Sequence, residues 1–257
     1  MPIATGPVPA ECWTDIKKAA KEGMEASFRL LENGAWKDPK IEEGLSVTTA
    51  TVDGSKCHAL KAELEIPYPP QSCVAAALQN LEIPIGSSSN NTRFLARKPF
   101  WENDEGRQKC EQVAAYYNPN SFATSTEPSY DLYLLVQYVV ASPSSLIAPR
   151  EFVTARHCQE LEKGPNGRRF CISSVSWEPS NLTTIFPESD KTEKWVRGTL
   201  HAQLYLFEET SGGKTKATFL VHSDPQGSVP AALVNKTLVN QAKALTEIDV
   251  CLKSLVK

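Results

Sequence analysis

A chain of 257 residues with 41% hydrophobic and 22% charged side chains has the make-up of a soluble globular protein, long enough for one large core. Its net charge of −3, without a sustained basic run, argues against a nucleic-acid partner and against stable electrostatic docking on anionic lipid. No apolar run reaches the roughly 18 residues of a membrane span, and Met1 to Ala10 lacks the basic start and apolar core of a signal peptide.

Trp13, Ile16, Ala20, Met24, Phe28 and Leu31 recur at helical spacing, and Asn33-Gly34 is a natural stop. They predict an amphipathic helix over 11–33 that needs a surface to lie on. Leu45 to Val52 and Lys56 to Ile66 read as strands joined by Asp53-Gly54, a strong hairpin signal. Pro67, Pro69 and Pro70 end the hairpin, and Ser72 to Leu81 reads as a short apolar helix. Glu82 to Arg93 is a polar loop inside the fold, because too little chain precedes it to make an independent core. Glu105 to Tyr117 reads as a helix.

From Tyr130 onward the pattern is one of strands: Leu132–Val140, Glu151–Cys158, Arg168–Trp177, Val196–Phe207 and Thr215–His222. Short links such as Ser211-Gly212-Gly213 make them sequential antiparallel neighbours. Pro179 to Glu193 is the longer exception and reads as a movable flap. A final helix over 228–255, about 40 Å long at 1.5 Å per residue, carries the stripe Val234, Leu238, Gln241, Leu245, Ile248, Leu252 and Leu255. The reading is α+β: a curved antiparallel sheet with a long terminal helix across its concave side. Such a layout makes a container, since an apolar gap beneath the helix is costly if left empty.

Seven cysteines are scattered without paired spacing, which fits reduced cytoplasmic thiols better than a disulfide framework. Sequons at Asn90, Asn181 and Asn235 have no export signal to make them meaningful, and Asn235 falls in the terminal helix. No nucleophile elbow, metal-binding His pair or Gly-rich phosphate loop is present, and the four histidines are isolated. His157 and Cys158 are adjacent on a strand, so they point to opposite faces and form no catalytic pair. No cofactor and no metal are expected.

The most informative stretch is Pro149-Arg150-Glu151-Phe152-Val153-Thr154-Ala155-Arg156. Strand alternation puts Phe152, Thr154, Arg156 and Cys158 on one face and Val153, Ala155 and His157 on the other. Val196-Arg197-Gly198 follows, then Asp224-Pro225-Gln226-Gly227, a turn leading into the terminal helix. These three motifs, in this order, resemble the START lipid-transfer domain from about Tyr130 to the C-terminus, with a looser fit back to about Leu45. The resemblance implies a helix-grip fold over the whole chain, 1–257, with a best-matched core over 130–255. It also implies a non-enzymatic function: one lipid held in an internal cavity, for transfer between membranes or for lipid sensing.

By that resemblance Arg156 is the arginine that points into the cavity, and Gln137 stands where cholesterol binders carry its acidic partner. A buried guanidinium facing an amide needs charge from elsewhere. Either another carboxylate reaches it, making it structural, or water does, or a ligand's anionic group supplies the charge, which favours phospholipid over sterol. The face carrying Gln137 and Arg156 adds Leu135 and Thr154 to the lining, and the helix adds Leu238, Gln241 and Leu245. Arg107 and Glu111 match the phosphate-contacting arginine and choline-facing acid of the phosphatidylcholine-binding branch, with Cys110 in place of the branch's tryptophan. The other reading of that pair is a solvent-facing ion pair. Phe152, with Tyr133 and Trp177 as substitutes, would supply aromatic faces for a choline cation; His201 stands where that branch has a tyrosine. The implied partners are a lipid and, transiently, a membrane surface, for a monomer in the cytoplasm. Two other readings keep the fold: a hydrolase or isomerase using the cavity, and an interaction module whose cavity is vestigial.

Overall fold

The computed structural model describes residues 8–79, 94–116, 127–140, 148–179, 185–186 and 195–255. Helix α1 (Cys12–Asn33) leads into strands β1 (Ala35–Trp36), β2 (Lys40–Glu42), β3 (Leu45–Thr51) and β4 (Ala59–Ile66). Helix α2 (Pro70–Gln79), strand β5 (Phe94–Trp101) and helix α3 (Asp104–Tyr116) come next. Strands β6 (Leu132–Val140), β7 (Arg150–Gly164), β8 (Gly167–Ser176), β9 (Val196–Arg197), β10 (Thr199–Glu209) and β11 (Thr215–Asp224) follow. Helix α4 (Ala231–Leu238), a 3-10 turn at Val239–Ala242 and helix α5 (Lys243–Leu255) complete the described chain.

All the described strands join one 11-stranded sheet, with the order β1-β3-β4-β11-β10-β8-β7-β6-β5, β2 pairing with β3 and β9 with β7 off this path. The later strands are sequential neighbours, as their short links predict. The joint that unites the two halves of the chain is β4 against β11, paired from Ile66↔Thr215 to Ala59↔His222. The sheet is curved and open, and it buries both of its faces. One face carries Val47, Leu60, Leu134, Val136, Phe170, Ile172 and Phe219 against α2, α3 and the terminal helices. Against the other lies α1, burying Trp13, Ile16 and Ala20 of the predicted stripe and then Gly23 and Ser27, with Met24, Phe28 and Leu31 half-buried beside them. The approach is close: a Cβ on Gly23 would sit 2.5 Å from Cβ of Val175.

Three departures from the sequence reading have local causes. Strand β5 was not expected, because Lys98 and Pro99 interrupt its apolar pattern. It forms the end of the sheet path, the position at which a proline costs no ladder bond. The terminal helix starts at Ala231 rather than Ser228, since Pro230 is extended (φ −60°, ψ 130°), and a 3-10 turn divides it. The strand read as 196–207 is split at Gly198, where a Cβ would meet the Phe152 ring at 2.5 Å. Its first piece pairs parallel with β7, and a bulge follows between Leu200 and Ala202. The loop 82–93 and most of the flap read at 179–193 lie outside the described residues. Ile185 and Phe186 are described, and both are buried against the α1 side of the sheet. No helix among the described residues is long and apolar enough to cross a membrane.

Candidate functional site

The three motifs meet at one end of the sheet. Arg150 donates from Nε to the Pro225 carbonyl and from Nη2 to the Gln226 carbonyl, each at 3.0 Å, and also bonds the Ala148 carbonyl. One guanidinium thus holds the Asp-Pro-x-Gly turn, whose Gln226 and Gly227 both take positive φ (54° and 67°), against the start of β7. Glu151 accepts from Gln137 Nε2 at 2.6 Å and from Arg197 Nη2 at 2.8 Å. The Gly198 amide donates to the Glu151 carbonyl at 2.9 Å. Asn235 ties α4 down as well: its Oδ1 accepts from the His58 amide at 2.8 Å and its Nδ2 donates to the Lys56 carbonyl at 3.2 Å. In the sequence Asn235 stood out only as a sequon within the terminal helix. Its amide is in fact the bolt between the β3–β4 hairpin and the helix that crosses the sheet.

The helix-covered face then presents Phe152, Thr154 and Arg156 along β7, as strand alternation predicts. Phe152 and Cys158 pack in the cluster that holds Leu238, Ala242, Leu245 and Ile248 of the terminal helices. Thr154 is buried and donates to the Val136 carbonyl at 3.3 Å. Arg156 donates from Nε to Ser174 Oγ at 2.8 Å and from Nη2 to Gln203 Oε1 at 3.5 Å. Register sets these side by side, with Trp101 paired to Leu134, Leu134 to Arg156, Arg156 to Ser174 and Ser174 to Gln203. Cys110 of α3 faces the same side; burial pushes its thiol up to about 11.

Several expected site residues lie elsewhere. Gln137 pairs with Val153 and Leu135 with Ala155, so both are on the α1 face, opposite Arg156. The expectation that Gln137 faces Arg156 is therefore corrected: its amide serves Glu151. Tyr133 and Trp177 are also on the α1 side, Tyr133 stacked on His157 with centroids 4.1 Å apart. His201, in the bulge, is exposed and stacks on His222 at 4.7 Å. Burial and the neighbouring His201 lower the His222 pKa to about 4. Gln241 is half-buried and Ala242 takes the inward position at the 3-10 turn, while Leu238, Leu245, Ile248 and Leu252 of the expected stripe are buried.

Arg107 and Glu111 form an exposed ion pair at 2.6 Å, with side chains 42% and 60% accessible. Arg107 also reaches Asp104 at 3.5 Å. The inward faces of α3 are Cys110 and Val113, so the solvent-facing reading of that pair holds. Of two pockets, one lies outside the helix-covered face and the other at its edge, under the 3-10 turn. One of about 540 Å³ is bordered by Lys21, Asp131, Tyr133 and Arg168. The other, about 110 Å³, sits between β3 and the 3-10 turn, beside Glu43 and Lys243. Among the described residues, no cluster of His, Cys, Asp and Glu converges as a metal site.

A search of curated protein sequences finds no match. Among solved structures, the human StarD13 (DLC2) lipid transfer and protein localization domain superposes with a TM-score of 0.56 and 17% identity, covering 94% of this chain and 96% of that one. Human StAR-related lipid transfer protein 5 gives 0.58 and 15%, covering 94% and 99%. Human STARD10 gives 0.53 and 16%, covering 97% and 82%. At such identities these likenesses establish the fold alone. The sequence model of the START domain matches residues 95–248, well over half the chain, from the edge strand β5 into the first part of α5. The chain belongs to the START domain family.

Proposed function

We propose that this protein is a non-enzymatic carrier or sensor of one lipid, held between the sheet and its terminal helices, and that it prefers a phosphate-bearing lipid to a sterol. The observation that supports the reading is the place of Arg156: a cation on the helix-covered face of β7, in line with Phe152 and Cys158 of the apolar cluster beneath the terminal helices. Guanidinium geometry suits phosphate oxygens, and burial of the acyl chains contributes about 0.8 kcal/mol per CH₂. Family membership supports the lipid itself. Binding and release need a cavity, a polar anchor and a movable cover, with no chemical step. Seven free thiols, six of them buried, fit a reducing compartment and support a cytoplasmic site of action. The whole chain works as a single domain and a monomer in this reading, meeting membranes only transiently.

Transfer of labelled phosphatidylcholine, phosphatidylinositol and cholesterol between vesicles tests the proposal. Arg156→Ala is expected to weaken phospholipid binding by about 1–3 kcal/mol, the range for a lost charged hydrogen bond, with little change for cholesterol. Arg107→Ala, which removes only an exposed ion pair, is expected to leave both unchanged. Cholesterol moving fastest, with phospholipid indifferent to Arg156, overturns the phosphate preference.

A further inference from the structure

The cavity at the edge of the helix-covered face, about 110 Å³, lies under the 3-10 turn. Its floor is apolar: Leu45, Val47 and Ala242 belong to the cluster beneath the terminal helices, and Val239 packs against it. Its rim is polar, with Asn240 and Lys243 on the helical side and Glu43 on the turn between β2 and β3. Glu43 and Lys243 close the mouth with an ion pair at 3.5 Å, their side chains 75% and 54% exposed. Glu43 and Gly44 both take positive φ (51° and 84°), the mark of a tight hairpin turn, which fixes where the carboxylate stands. The helices on either side of the 3-10 turn are tied down. Asn235 of α4 is bonded to the backbone of Lys56 and His58, and Cys251 Sγ of α5 donates to Gln79 Oε1 of α2 at 3.4 Å. Between these ties the turn has the poorer hydrogen-bond geometry of a 3-10 segment, with the cavity beneath it.

We propose that the apolar part of the lipid enters and leaves the helix-covered face here, between β3 and the 3-10 turn, with the Glu43–Lys243 pair as the latch of the opening. The inference rests on the lipid-binding reading above. The floor of the cavity is continuous with the apolar cluster, so a chain that crosses the rim passes directly onto apolar side chains. The ties at Asn235 and Cys251 confine the movement to the turn: α4 and α5 stay on the sheet while Val239–Ala242 lifts. An exposed ion pair contributes little, so breaking it raises the open population only about two- to fivefold. That suits a latch that must open at every transfer.

The test uses the full chain, with labelled phosphatidylcholine and labelled cholesterol carried in vesicles of zwitterionic phosphatidylcholine, so that a changed protein charge leaves vesicle docking alone. Transfer rate is followed by fluorescence and bound lipid by native mass spectrometry, and each variant is checked for folding by circular dichroism. Lys243→Glu, which sets two carboxylates across the mouth, is expected to speed transfer about two- to fivefold at unchanged occupancy. Adding Glu43→Lys to it restores the pair in reverse and with it the wild-type rate. Asn240→Trp, at the rim, is expected to slow transfer relative to Ala232→Trp, an exposed position on α4 that does not line the cavity. A wild-type rate in Lys243→Glu, or equal rates in the two tryptophan variants, overturns the entry route and leaves lipid binding standing. Wild type that takes up neither lipid overturns both. Should one set of variants fail to fold, the other decides.

Discussion

Arg150, Glu151, Arg197 and Gly198 carry much of the family resemblance, yet the structure gives them to architecture. Arg150 clasps the turn before the terminal helix, Glu151 bonds Gln137 and Arg197, and Gly198 makes room for Phe152. Glu151 is buried, so removing a partner leaves a charge short of compensation. Arg197→Ala is expected to lower unfolding stability by about 2–4 kcal/mol, and Gln137→Leu by about 1 kcal/mol, measured as urea midpoints at pH 7.5. Equal, negligible effects would remove the network from the stability argument. The face of Phe152 and Arg156 was legible because a strand alternates strictly. Gln137 was not, because counting residues between strands does not fix register, and an error of one position moves a side chain through the sheet. Nor could sequence alone choose between the two readings of Arg107 and Glu111, since i,i+4 spacing is the same whether the pair faces water or lipid.

Helix α1 shows how much of an element its stripe determines. The residues that bury it were readable from periodicity, while the surface it would cover was not, because nothing in the stripe names its partner. Its contact with β8 is tight at Gly23. Gly23→Val should force the helix off Val175 and cost about 1–3 kcal/mol. Thermal unfolding checks this, and a variant as stable as wild type would mean that the helix shifts freely. The terminal helix was legible in extent and not in detail. Its 3-10 turn places Ala242 inward where the uninterrupted pattern put Gln241, while Leu245, Ile248 and Leu252 beyond it keep their expected places. Strand β5 escaped notice because its proline is allowed only by its place at the end of the sheet, a fact of topology rather than of local sequence.

For the molecule as a whole, acid is the informative stress. Burial lowers the pKa of His157, and burial with His201 nearby lowers that of His222 to about 4 from the usual 6.5. Below pH 6.5 the unfolded chain takes up protons that both native imidazoles resist, His222 until about pH 4, so stability falls as the pH drops through that window. Urea midpoints at pH 7.5, 6.0 and 5.0 should decline in that order, and His222→Gln should flatten part of the decline. Stability that holds level down to pH 5 would contradict the burial of both rings. The fold class and the order of the later strands were readable from turn spacing. The 59–66 strand gave no sign of its distant partner, because pairing across most of the chain leaves no local trace.

That partner, β11, has a consequence for how the protein is made. Synthesis runs from the N-terminus, and β4 leaves the ribosome with β3 already available on one side. Its other edge, Ala59 to Ile66, has no native partner until Thr215 to His222 has been translated. Through most of translation the nascent chain therefore carries an open strand edge, the feature most prone to pairing with a neighbouring chain. The three charged residues of β4, Lys61, Glu63 and Glu65, alternate with its apolar set. Charges of that kind discourage such pairing, so the strand that joins the halves of the sheet also bears its own protection during the wait.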